Sequence, residues 1–295
     1  MHPQISTVRT TDQQTLCCKA WGHSELPALV LVHGYPDNQE VWEPIIQELV
    51  QHFYIVTYDV RGAGQSSVPK KIRDYRMAQL SLDLEAVVDQ VLEGRPFHLA
   101  AHDWGSLQSW ESVTDPRFKD RILSYTTISG PCLDHAAHLL GSELKSQPFS
   151  VLKKLSKSWY IAAFHLPFLA PSVWHFFTPQ KWGKVLSRLE RKQDLPLNPN
   201  IARDGKYGIN LYRANFIPAM RHPRKRFAQC PVQALVLKHD AFVSPEYILN
   251  EMPNWVDQFE YQEINGNHWA VLSQPKLVAG HIARFAQQHH DENTL

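Results

Sequence analysis

The chain has 295 residues, 43% of them hydrophobic and 20% charged, which suits one α/β domain with an insertion and a sizeable core. Thirty basic side chains against 29 acidic ones leave a formal charge of +1. That balance excludes a global attraction to nucleic acid or to an anionic membrane, and no nucleic-acid partner is expected.

The opening residues, Met1-His2-Pro3-Gln4-Ile5-Ser6, hold no apolar run behind a basic patch, so no secretory signal is expected. The four cysteines, Cys17, Cys18, Cys132 and Cys230, form no CxxC pair and no metal-ligand spacing. Reduced thiols in a cytoplasmic protein are the plain reading. Cys17 and Cys18 are adjacent and would point to opposite faces of a strand.

Ala28-Leu29-Val30-Leu31-Val32 is a short apolar run ended by His33-Gly34, as in a buried parallel strand. Residues 54–58 form a second strand, followed by Asp59 and the turn Arg61-Gly62-Ala63-Gly64. The spacing of Leu80, Leu84, Val87, Val88 and Val91 predicts a helix over residues 77–92. Residues 97–101 and 122–128 are the third and fourth strands. Repeated β-α units imply a parallel sheet with helices on both faces.

From residue 131 to 218 no strand is legible, and the segment reads as helices. Residues 159–177 are mostly apolar, yet Pro167, Pro171, His165 and His175 interrupt them. A bilayer span needs an uninterrupted helix, so two short helices over a pocket are expected instead. The basic run Arg221-His222-Pro223-Arg224-Lys225-Arg226 reads as a solvated loop. Strands resume at 232–237 and 259–264, and a last helix is predicted over 274–288. The expected organisation is therefore a core of residues 1–130 and 219–295, with a helical cap of 131–218 over the strand ends where open α/β sheets bind ligands.

Ala101-His102-Asp103-Trp104-Gly105 sits between a strand and a helix-starting segment. Small residues flanking a central polar one mark the nucleophile elbow, a cramped turn that pushes one side chain into the pocket. Here that side chain is a carboxylate, and no G-x-S-x-G occurs for a serine enzyme. A lone Asp after a strand is ordinarily a helix cap; the company of later residues argues otherwise. An ionised carboxylate needs no base before attacking an sp3 carbon. The resulting ester then needs a general base and an oxyanion site. His268, in Asn265-Gly266-Asn267-His268-Trp269, comes last in chain order, and Asp240 follows a strand between the two. The order Asp103, Asp240, His268 is nucleophile, orienting acid, histidine. The backbone amides of Tyr35 and Trp104 are the expected oxyanion donors.

At these residues the chain resembles the α/β-hydrolase epoxide hydrolases: His33-Gly34-Tyr35-Pro36-Asp37, Asp59-Val60-Arg61-Gly62-Ala63-Gly64-Gln65-Ser66 and His102-Asp103-Trp104-Gly105. The likeness covers nearly the whole chain and departs at Ala101, where the family usually has glycine. It implies an α/β-hydrolase fold with a mostly parallel eight-stranded sheet and an inserted cap. It also implies two cap tyrosines over the nucleophile. Trp159-Tyr160-Ile161 resembles the first tyrosine segment and Gly208-Ile209-Asn210-Leu211-Tyr212-Arg213 the second, so Tyr160 and Tyr212 would bind the epoxide oxygen, with Tyr207 a weaker substitute for Tyr212. Trp159, Phe164 and Pro36 would line the pocket. The implied partners are a small epoxide and water, with no metal or organic cofactor, for a monomer or homodimer.

Three other readings compete. A dehalogenase of this fold would need halide donors, commonly an asparagine in the H-G-x-P loop or an arginine after the nucleophile; Tyr35 and Trp104 stand there. A non-catalytic ligand-binding relative would tend to lose a triad member, and none is missing. Gly62-Ala63-Gly64 lacks the third glycine of a dinucleotide loop, since position 67 is Ser.

Overall fold

A computed structural model describes residues 2–147 and 159–292; residues 148–158 of the expected cap lie outside the described residues. Eight strands make one sheet: β1 (Gln4–Arg9), β2 (Thr15–Trp21), β3 (Ala28–Val32), β4 (Tyr54–Tyr58), β5 (Phe97–His102), β6 (Ile122–Ile128), β7 (Val232–Leu237) and β8 (Phe259–Ile264). Their order is β1-β2-β4-β3-β5-β6-β7-β8. The pairings from β4 to β8 are parallel, and β1 and β2 join antiparallel at one edge. Every residue of β3, β5 and β7 is buried. That is why β3 reads as an unbroken apolar run, and β5 and β7 as runs broken only by His98, His102 and Gln233: layers cover both of their faces.

Helices α1 (Glu43–Leu49), α2 (Met77–Val91), α3 (Trp104–Val113) and, at the chain's end, the long helix Pro275–Glu292 belong to the core. The first packs against the last, and α2 against α3, as expected of helices covering a sheet. Between β6 and β7 lie α4 (Leu133–Ser146), α5 (Trp159–Phe164), α6 (Leu169–Val173), α7 (Pro179–Glu190) and α8 (Ile201–Arg221). No strand occurs there among the described residues. The apolar stretch of residues 159–177 is thus two short helices broken around Pro167, and among the described residues no helix is long and apolar enough to cross a membrane.

Two expectations need correction. The cap boundary drawn at residue 218 falls inside α8, which runs on to Arg221: Pro218 removes one backbone donor without ending the helix, and the His222 N–H still closes on the Pro218 carbonyl. The basic run is not a freely solvated loop. Arg224 and Arg226 both pair with Glu111 on α3 and Asp134 on α4, at 2.6–3.1 Å. Two carboxylates facing one loop offset two of its four positive charges, and Arg221 and Lys225 stay exposed.

The cap is tied to the core by buried polar contacts. Asp204 accepts from the Gly64 amide at 2.9 Å and from Asn38 Nδ2 at 3.1 Å. Asn215 donates to the Tyr75 carbonyl at 2.8 Å and accepts from the Met77 amide at 2.9 Å. These contacts set α8 over the segments that follow β3 and β4.

Candidate active site

β5 ends at His102, and α3 begins at Trp104. Asp103 fills the single position between them with φ 51° and ψ −124°, and its side chain makes no cap to α3. A non-glycine residue in this region is strained. The surroundings enforce it: a Cβ on Gly105 would collide with the carbonyl oxygens of Val32 and His33, so only glycine lets α3 start so close to β3. The carboxylate is thereby turned away from the helix and into a cavity.

Around Asp103 three predicted partners converge. The Tyr35 amide donates to Asp103 Oδ1 at 2.7 Å. His268 Nε2 stands 3.5 Å from Asp103 Oδ2. His268 Nδ1–H donates to Asp240, 2.9 Å from Oδ2 and 3.1 Å from Oδ1. Asp240 Oδ1 also accepts from the amides of Phe242 and Val243, which hold its plane. Trp104 is buried at the first position of α3, beside Asp103.

The electrostatics follow from burial. It alone would depress the His268 imidazole, but the Asp240 charge and the hydrogen bonds to Asp103 and Asp240 outweigh it and raise the pKa to about 10. Burial would raise Asp240, yet His268 holds it below the usual carboxylate value. His102 sits behind His268, where burial and the His268 charge push its pKa down to about 4. It is therefore neutral, and its Nε2 carries the proton given to the His268 carbonyl at 2.9 Å.

The cavity over Asp103 has a volume of about 620 Å³. Pro36, Tyr160, Phe164, Tyr212, Phe242 and Trp269 line it along with Asp103 and His268. The Tyr212 ring lies 4.7 Å from the Trp104 ring and 6.4 Å from that of Tyr160. Burial and then the Asp103 charge raise both phenols well above their ordinary pKa, so both stay protonated. Arg213 reaches from α8 to the Phe164 carbonyl at 2.8 Å and the Leu166 carbonyl at 2.7 Å, fixing the end of α5. Trp159 is at the rim, 69% exposed, while still bordering the cavity. Tyr207 is not among the lining residues.

Some neighbours were not legible. Phe242 packs its ring 4.8 Å from the His268 ring. Asp37 accepts from the Trp269 indole at 2.8 Å and Glu190 from the Trp269 amide at 2.8 Å. Asp37 could have been suspected from its place in the His33–Asp37 loop. Glu190 carries no signal at all, since its partners lie 79 and 83 positions away.

A mostly parallel sheet with this strand order, an acid at a strained elbow and a late histidine define an α/β hydrolase, and the chain belongs to the alpha/beta hydrolase fold family, matched over residues 27–275. Among curated relatives it is similar to Probable oxidoreductase EphD of Mycobacterium tuberculosis, 32% identical over 279 residues, which is 90% of this chain and 46% of that protein. This chain thus spans about half the length of that relative. It is 25% identical over 280 residues to Epoxide hydrolase 3 of Mus musculus, covering 85% of this chain and 72% of the relative. A solved variant of an epoxide hydrolase from Bacillus megaterium, complexed with its product, shares the fold with a TM-score of 0.78 at 18% identity, covering 95% of this chain and 99% of that one.

Proposed function

We propose that the protein hydrolyses a small organic epoxide to a vicinal diol through an ester on Asp103. The observation that carries this reading is one carboxylate facing an apolar cavity with two protonated phenols nearby and an acid-supported imidazole 3.5 Å away. The names of the epoxide hydrolase relatives support the same substrate class.

In the first step Tyr160 and Tyr212 donate to the epoxide oxygen. Asp103 Oδ2 attacks a ring carbon, the carbon–oxygen bond breaks, and the alkoxide takes a phenolic proton. The product is a hydroxyalkyl ester. In the second step His268 takes a proton from water as the water oxygen attacks the Asp103 carbonyl carbon. Asp103 Oδ1 becomes the oxyanion. It is the atom that already accepts from the Tyr35 amide at 2.7 Å, with the Trp104 amide as second donor. Collapse breaks the ester carbon–oxygen bond, the leaving oxygen takes the hydroxyl proton of the tetrahedral carbon to give the diol, His268 passes its proton to the phenolate, and one water has been added overall. Phenols suit an epoxide oxygen, which needs a proton, better than a halide, which does not.

The four cysteines are free. They support the narrower reading of a cytoplasmic protein; a monomer or homodimer without a nucleic-acid partner completes it.

The direct test is incubation with terminal, disubstituted and styrene-type epoxides, reading diol formation. Asp103→Ala should lower turnover by about ten-thousandfold or more, and a variant that still made diol would refute the nucleophile. His268→Gln should accumulate a protein ester, visible as a mass increase. The double variant Tyr160→Phe, Tyr212→Phe should lose about 10²- to 10⁴-fold; a wild-type rate would refute the donors.

A further inference from the structure

We infer that Glu190, a cap residue, is a positioning residue for His268 and makes the ester-hydrolysis half of the cycle depend on the cap. The inference rests on the epoxide hydrolysis reading and deepens it. The peptide unit joining His268 to Trp269 has both of its polar atoms fixed from opposite sides. Its carbonyl accepts from His102 of the core at 2.9 Å, and its N–H donates to Glu190 Oε1 of the cap at 2.8 Å. The other Glu190 oxygen accepts from Ser273 Oγ at 2.7 Å. Rotation of that peptide plane would change the backbone torsion of His268 and swing its ring away from Asp103.

The grip has more than one point. Trp182, on the same cap helix α7, sets its ring 5.8 Å from the Trp269 ring. The Trp269 indole is held from the core side by Asp37 at 2.8 Å. Lys192, two residues past Glu190, donates to the Ser273 carbonyl at 2.7 Å.

The ordinary explanation of a glutamate on a helix fails here. Glu190 is the last residue of α7, where a negative charge opposes the helix dipole and is unfavourable. It is also only 6% exposed. Neither helix propensity nor solubility accounts for a buried carboxylate at that end. The loop carrying the base does, since both oxygens are engaged by it.

The position predicts an effect confined to one step. Asp103 attacks without help from His268, so ester formation is insensitive to a small displacement of the imidazole. Water activation is not, because a misplacement of about 1 Å can cost about a hundredfold. Glu190→Ala should therefore keep the rate of ester formation in a single turnover and lower kcat about tenfold to a hundredfold. The ester should build up on the protein by intact mass, and KM should fall with kcat. Glu190→Gln restores both contacts without charge: its carbonyl accepts from Trp269 N–H and its amide donates to Ser273 Oγ. It should return kcat to within about twofold of wild type. Thr178→Ala removes the side-chain cap of the same helix, 3.3 Å from the Lys181 amide, without touching the loop. It should lower thermal stability with no ester accumulation.

Wild-type protein that makes no diol from any epoxide overturns the hydrolysis reading. Wild-type turnover with a Glu190→Ala variant that shows unchanged kcat and no ester overturns the positioning role alone. If Glu190→Ala does not fold, Glu190→Asp carries the test: it keeps the charge, is one methylene too short to reach both partners, and should accumulate the ester. Wild-type kcat in that variant overturns the inference.

Discussion

At the scale of single residues, the decisive fact is that two carboxylates share one imidazole. Asp240 and Asp103 both favour His268 in its charged form, against its burial, so the resting site holds an imidazolium with a pKa of about 10. A base must be neutral, and the proposed chemistry supplies the change. Esterification removes the Asp103 charge and its hydrogen bond, leaving burial and Asp240 in opposition. The His268 pKa then falls when a base is needed. Asp103→Asn imitates the neutral ester, so the imidazole in that variant should titrate well below its wild-type value, measured by NMR of the ring. An unchanged titration would show that Asp103 does not control the base. Asp103, Asp240 and His268 were legible because each sits at a strand end with a diagnostic spacing. Glu190 and Asp37 were not read as partners of this loop, because their contacts cross 79 and 232 positions of sequence.

At the scale of elements, the cap helix α8 matters more than its polar composition suggests. It carries Tyr212 and passes close above the His33–Asp37 loop. Gly208 allows that approach, since a Cβ there would stand 2.5 Å from Tyr35 Cδ2. Two effects compete in Gly208→Ala. Helix propensity gains about 1 kcal/mol. Overpacking against a ring already wedged edge-on among Phe164, Trp174 and Tyr212 costs about 1–3 kcal/mol. Overpacking should win, lowering the melting temperature by a few degrees. Activity should fall too, because the Tyr35 amide holds Asp103 Oδ1. A higher melting temperature with full activity would mean that the loop yields freely. The buried parallel strands and α2 were readable from apolar runs and helical spacing. β1 and β2 were not: β1 is an exposed edge strand with one fully buried residue, and an antiparallel edge leaves no continuous apolar signal. The elbow was readable while its strain was not, because φ depends on how closely β3 and α3 approach.

At the scale of the whole molecule, buried titratable groups accumulate on both sides of neutrality and set a stability optimum. His268 is raised from 6.5 to about 10, so the fold prefers its charged form. That stability is fully present below the unfolded pKa of about 6.5 and is lost as pH rises through about 10. On the acid side five histidines are lowered by burial: His33 and His281 are lowered, His98 falls to about 3, and His102 and His135 fall to about 4. Below pH of about 6.5 the unfolded chain binds protons that these folded groups refuse, so stability falls with falling pH. Four carboxyls oppose this, Glu40 and Asp83 being raised by burial as well as the two that follow. Burial raises Asp37 to about 7 and Asp204 to about 6, and each favours the fold as pH drops toward the unfolded carboxylate value. The five histidines are joined by Asp12, Asp115 and Asp240, whose carboxyls are held below their usual value and also lose stability as pH falls, so these groups outnumber the four, and each uncompensated proton is worth about 1.4 kcal/mol per pH unit. The melting temperature should therefore peak at pH of about 6 to 7 and decline toward both about 4.5 and about 9.5. The two limbs have different owners, which makes the assignment testable. In His268→Gln the alkaline decline should flatten while the acid limb remains. A wild-type alkaline slope in that variant would mean that His268 is not held charged between its two carboxylates.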